Sequence, residues 1–224
     1  MIATPPPTEV LTLVFLSWAV GTIAFGAITR LGGEVQPGHF KVVWLVSAGL
    51  SAAAGFGYYP AFVLTALSLV AFAAIYREMD LVPGLVAAAA GLFALAGGSD
   101  LKLEAFASAA LMGAVTNAML LGHWHLNQPR LGTKPIARLV WFLWASMALF
   151  IGATAWLTIE ATGVQLLGAW TAIAFAAFTG VLNAMVQHLV RTRSIMSATG
   201  ILYLAILLCF VAVFTGSLSA LARG

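Results

Sequence analysis

The chain has 224 residues, 62% of them apolar and 8% charged, with a mean hydropathy of +1.03. A soluble domain carries roughly 25% charged residues, so ten basic and seven acidic side chains are too few to coat a globule of this size in water. That balance excludes an ordinary soluble enzyme and a disordered tail, and basic residues scattered along an apolar chain are topology signals rather than a nucleic-acid-binding face. The single cysteine, Cys209, excludes an intrachain disulfide and any cysteine-built metal or iron–sulfur site.

A spanning helix needs roughly 20 mostly apolar residues, and lipid leaves only helices and closed barrels as spanning solutions. Eight apolar runs meet or approach that length: 10–29, 41–58, 61–76, 82–98, 105–126, 136–158, 165–190 and 196–220. None alternates polar with apolar as a barrel strand would, so the expectation is an all-α polytopic membrane protein of about eight helices. The third and fourth runs are short and Ala-rich and are open to a re-entrant arrangement. Pro5, Pro6 and Pro7 precede the first run with no basic residue, so it reads as a retained helix rather than a signal peptide.

Eight of the ten basic residues (Arg30, Lys41, Arg77, Arg130, Lys134, Arg138, Arg191 and Arg193) fall at the odd-numbered connections. Only Lys102 and Arg223 fall at the other end. The positive-inside rule then predicts that the first group is cytoplasmic and both termini non-cytoplasmic, in a bacterial inner membrane.

Two internal matches divide the chain. Ala24-Phe25-Gly26-Ala27-Ile28-Thr29-Arg30 and Ala71-Phe72-Ala73-Ala74-Ile75-Tyr76-Arg77 share five of seven residues. Val115-Thr116-Asn117-Ala118-Met119 pairs with Val181-Leu182-Asn183-Ala184-Met185, using two of the three asparagines in the chain. Tandem hairpins in two four-helix units are expected: 1–100 as scaffold or partner surface, 101–224 as the candidate cofactor-bearing unit.

All four histidines are predicted at the Arg-rich end. His39 reads as a loop residue. His123 and His125 end the fifth run in Gly122-His123-Trp124-His125-Leu126-Asn127-Gln128-Pro129-Arg130, and His188 ends the seventh. Four chemistries fit. A b-type haem needs one histidine from each of two helices at one depth, which selects His123 and His188, with His125 as the alternate. Arg130, Arg138 and Arg191, with Lys134 and Arg193, would then neutralise its propionates. A zinc or copper site would draw on His123, His125, His188 and His39, against the helical spacing that turns residues i and i+2 roughly 200° apart. Pro129 allows the helix to fray nearby. A quinone pocket would use a histidine or arginine on the ring carbonyl, with Trp124, Asn127 and Gln128 around it. Finally, these side chains are what a headgroup layer collects without any cofactor.

Asn117 and Asn183 lie deeper and need partners, either as interhelical bonds or as the polar lining of a cofactor pocket. Glu78, Asp80 and Arg77 read as a solvated turn. Gly21, Gly26, Gly113 and Gly122 permit close helix contacts. No confident span contains a carboxylate, and there is no HExxH, P-loop or Ser-His-Asp arrangement, which excludes an intramembrane hydrolase or a carboxylate-driven pump. The plan of eight helices in two units, with a haem in one, is similar to that of haem A synthases. It departs from that family in having no histidine within a span of the first half. The function expected is a redox-associated membrane subunit that binds b-haem or quinone near the cytoplasmic leaflet, within a larger respiratory-type complex. The alternative is a non-catalytic scaffold or transporter-like subunit with lipid and protein contacts only.

Overall fold

The structure is a computed structural model and describes residues 6–98, 102–128, 130–159 and 161–222. Pro129 and Arg223, named above, lie outside the described residues. Of the described residues, 86% are helical. Its elements are α1 (Pro7–Leu31), α2 (Pro37–Gly55), α3 (Ala61–Ala74) with a 3₁₀ turn (Ile75–Arg77), α4 (Leu81–Gly98), α5 (Lys102–Trp124), α6 (Lys134–Thr158), α7 (Gly163–Arg191) and α8 (Ile195–Leu221). Five of these, α1, α5, α6, α7 and α8, are long and apolar enough to cross a membrane, and α3 and α4 are shorter apolar helices.

Local chemistry sets the boundaries. Pro7, Pro37 and Pro135 sit in first turns, where the missing N–H has no intrahelical partner to lose. Gly32 and Gly33 end α1, and Gly33 takes a φ of 68° that a side chain would resist. At 1.5 Å per residue, the 14 residues of α3 reach only about 21 Å, short of a roughly 30 Å hydrocarbon core.

Each helix packs on the next in sequence within 7–98 and within 102–221. In addition α1 closes on α4, and α5 closes on α8. The two rings meet along α1 and α5, the most extensive contact between them. There the backbones touch. A Cβ on Gly21 would fall on the Ala109 carbonyl, and one on Gly113 would fall on the Gly21 backbone. This close approach also satisfies polar groups. Trp18 Nε1 donates to Thr116 Oγ1 at 2.8 Å, and Asn117 Nδ2 donates to the Thr22 carbonyl at 3.1 Å. The largest fully buried side chains include Trp44 and Phe40 of α2 and Phe150 of α6.

Glycines that hold a helix contact are distinguishable from those that do not. Gly113→Ala must force α1 and α5 apart, whereas Gly200 has nothing within 4 Å of an added Cβ. Thermal melting of the purified protein should show a clear loss for Gly113→Ala. Gly200→Ala should be neutral or gain up to about 1 kcal/mol from helix propensity.

Candidate functional site

The Arg-rich end holds a polar layer in two parts. The first lies between α1, α2 and the start of α4. Asp80 is fully buried and accepts from Arg30 Nε at 3.2 Å on both oxygens, and from Trp44 Nε1 at 3.4 Å. The Arg30 guanidinium also lies over Phe40, 5.4 Å from its centroid. The solvated turn expected around Asp80 is therefore corrected: Glu78 and Arg77 are exposed, but the carboxylate between the 3₁₀ turn and α4 points inward and anchors two other helices. A buried carboxylate is tolerable here because a cation and an indole N–H satisfy it.

His39 is a second correction. It is not in a loop but in the first turn of α2, 1% exposed and ahead of the apolar run that starts at 41. Its ring meets Phe40 edge-on at 5.0 Å and Trp124 at 6.0 Å. Gly38 makes room for this, since a Cβ there would strike the Trp124 ring. Gln128 fastens the same junction. Its Oε1 accepts from Trp124 Nε1 at 3.2 Å and from the Gln36 backbone N–H at 3.3 Å. Desolvation, reinforced by the nearby His125, lowers the His39 pKa from 6.5 to about 4. His39 is thus neutral at pH 7.

The second part is a cavity of about 520 Å³ between the α5–α6 connection and the start of α8. Its walls include His125, Arg130, Thr133, Arg193 and Met196. His125 is half-buried, with Nδ1 2.9 Å from the Leu121 carbonyl, so Nδ1 carries the proton in that contact. Its Nε2 is buried and unpartnered, as is His39 Nε2. Arg130 and Arg193 are exposed on the cavity side, and neither has an ion pair among the described residues. A smaller, mainly apolar cavity of about 300 Å³ lies at the opposite end, beside Glu9, Thr12 and Tyr58.

The remaining candidates are dispersed. His123 and His188 are both exposed, on helices that pack on α6 and α8 rather than extensively on each other. Arg138 makes a long 3.5 Å pair with Glu34, with both side chains largely exposed, which contributes little. Arg191 is exposed in the last turn of α7. Asn183 Nδ2 donates to the Val140 carbonyl of α6 at 3.2 Å. Asn117 binds α1 as described above. The shared Asn-Ala-Met motif therefore ties α5 to the other ring but ties α7 to its own neighbour. Among the described residues no group of three or more His, Cys, Asp or Glu side chains converges as a metal-ligand set.

Sequence reasoning missed Asp80, Arg30 and Trp44 as one cluster. The only signal was an acidic residue placed directly before an apolar run. No protein-family model matches this chain, and neither a curated protein nor a solved structure does.

Two measurements check this layer. Asp80→Asn leaves the Arg30 charge without its counterion and should cost about 3 kcal/mol, while Asp80→Asn combined with Arg30→Met should cost less than the two single changes added together. The His39 shift has a definite sign. The unfolded state binds its proton below about pH 6.5 and the folded state only near 4, so stability falls as pH drops through that window. The slope of melting temperature against pH between 6.5 and 4 should flatten in His39→Gln.

Proposed function

We propose that the chain is an integral membrane subunit that works through lipid and protein contacts, with a basic cavity at headgroup depth as its working site. In this reading the Arg-rich end faces the cytoplasm of a bacterial inner membrane and the termini lie on the other side. The carrying observation is the cavity beside Arg130 and Arg193, two cations with no ion pair among the described residues. The perimeter supports it, because large apolar side chains such as Val63, Val70, Phe93 and Leu207 are exposed as hydrocarbon contact requires. We read 1–100 as the scaffold unit and 101–224 as the unit bearing the cavity. The separate closures of α1 on α4 and α5 on α8 support that division.

A redox role is the second reading, favoured by His125 in the cavity wall beside Arg130, a pairing suited to the carbonyl oxygens of a quinone ring. The haem variant lacks comparable support. Its two proposed ligands, His123 and His188, are exposed on helices without extensive mutual contact.

A reduced-minus-oxidised visible spectrum, with organic extraction of the same sample, separates the readings. The proposal expects a flat spectrum and a quinone-free extract. A b-type α-band lost in His123→Ala and in His188→Ala would overturn it in favour of haem. Stoichiometric quinone, lost in His125→Phe, would overturn it in favour of quinone handling.

A further inference from the structure

The cavity between the α5–α6 connection and α8 has the electrostatics of a receptor for a phosphate group. Two helices begin at its wall, α6 after Thr133 and α8 after Ser194. Neither N-cap residue makes a side-chain cap bond. The Ser194 hydroxyl turns instead to Ser197 Oγ at 3.2 Å. The first N–H groups of α8, and those of α6 apart from Pro135, which has none, therefore have no side-chain acceptor among the described residues, and the positive ends of two long helix dipoles meet at one hollow. That alone would not define a ligand. The hollow, however, is a built cavity of about 520 Å³, large enough for a headgroup. Arg130 and Arg193 reach it from opposite connections, neither neutralised by a carboxylate among the described residues. No acidic side chain is among the residues that form its wall.

The positions of these arginines are not incidental to the helix ends. Arg193 holds a left-handed φ of 61°, an unusual backbone state for a residue with a long side chain. Elsewhere at this end some cations are neutralised or engaged with a ring, while Arg77, Lys134 and Arg191 are exposed with no ion pair among the described residues. Arg30 pairs with Asp80, Arg138 reaches Glu34, and Lys41 sits over Tyr76 at 4.2 Å. The cavity brings two uncompensated cations to one hollow, and Leu126 and Met196 give it an apolar edge.

We propose that this cavity binds a phosphate-class anion, held by Arg130 and Arg193 with the Thr133 hydroxyl and the α8 N-terminus completing the contacts. The proposal rests on the reading that this end of the chain lies at headgroup depth, and it names the ligand class of that site. The apolar edge suits a phospholipid headgroup. A soluble phosphate compound would satisfy the same donors.

The test uses the full-length protein in nanodiscs of phosphatidylcholine, with and without phosphatidylglycerol, and in detergent with inorganic phosphate. Melting temperature and retained phosphorus are read in each. Wild type should be stabilised by phosphatidylglycerol over phosphatidylcholine, and added salt should weaken the effect. Arg130→Gln and Arg193→Asn should each weaken binding about tenfold, as expected for loss of one charge-assisted contact. Asn is chosen at 193 because it tolerates the left-handed backbone. Arg191→Gln, outside the cavity wall, should behave as wild type. Stabilisation by phosphatidylglycerol that inorganic phosphate does not displace identifies a lipid. Stabilisation by inorganic phosphate, with displacement of the lipid, identifies a soluble phosphate compound. Equal behaviour in the two nanodisc compositions, together with no response to inorganic phosphate, overturns the proposal without recourse to any variant. So does a lipid or phosphate effect that survives in both arginine variants. A flat visible spectrum would still stand in either case, so this site can fail while the membrane-subunit reading holds.

Discussion

The contact on which this molecule depends is the approach of two backbones at Gly21 and Gly113. Neither position has room for a methyl group, because each would place it on the main chain of the other helix. In the proposed membrane setting lipid supplies little hydrophobic drive for helices to associate, so close van der Waals contact and interhelical hydrogen bonds do that work. The glycine contact brings Trp18 within reach of Thr116, and Asn117 within reach of the Thr22 carbonyl. With α1 and α5 fixed against each other, each ring closes on its own last helix, and the ends of the rings come into register. The junction of His39 with Trp124, and of Gln36 with Gln128, exists because that seam sets the relative height of α2 and the α5 terminus.

The two ends of the bundle solve their electrostatics differently. At the Arg-rich end, one cation is sealed by Asp80 deep among α1, α2 and α4, while those on the α5–α6 and α7–α8 connections keep their charge at a cavity. A buried pair of this kind adds little net stability over an apolar pair of equal volume. It does penalise any arrangement that separates the partners. Arg30 and Asp80 therefore act as a registration device. They admit one seating of the α3–α4 hairpin, whose short helices have less surface with which to specify it. The cluster around Glu104 at the start of α5, where Ser217 donates to its Oε1 at 3.2 Å, places a second buried carboxylate between α5 and α8 near the other end.

How much was legible in the sequence follows from what each signal encodes. Apolar run length encodes span, and the run at 82–98 appears as α4 (Leu81–Gly98), with the first at 10–29 lying inside α1 (Pro7–Leu31). Position along a helix was legible too, which is why the histidines fall at one end. Azimuth was not. His123 and His188 lie in the last turns of α5 and α7, but each is exposed, and in an almost wholly apolar helix there is no polar stripe from which to read direction. Asp80 was hidden for a different reason: it shares a short polar stretch with Arg77 and Glu78, and nothing in the sequence separates the buried acid from its two exposed neighbours. Asn117 and Asn183 were the exception. An amide at that depth demands a partner, and each has found a backbone carbonyl on a neighbouring helix.

The glycine seam also has a bearing on the order of biogenesis. α1 is made before α5, yet α5 is one of its principal neighbours and follows only after three more helices have emerged. Until then the indole of Trp18 and the carbonyl of Thr22 lack the partners that α5 supplies, in a solvent that offers few substitutes. The nascent first ring is thus an incomplete object, with a grooved, polar-notched flank held open for a helix not yet translated. The flank of the first ring is therefore completed only by the second, and α1 stays unfinished until α5 is in place.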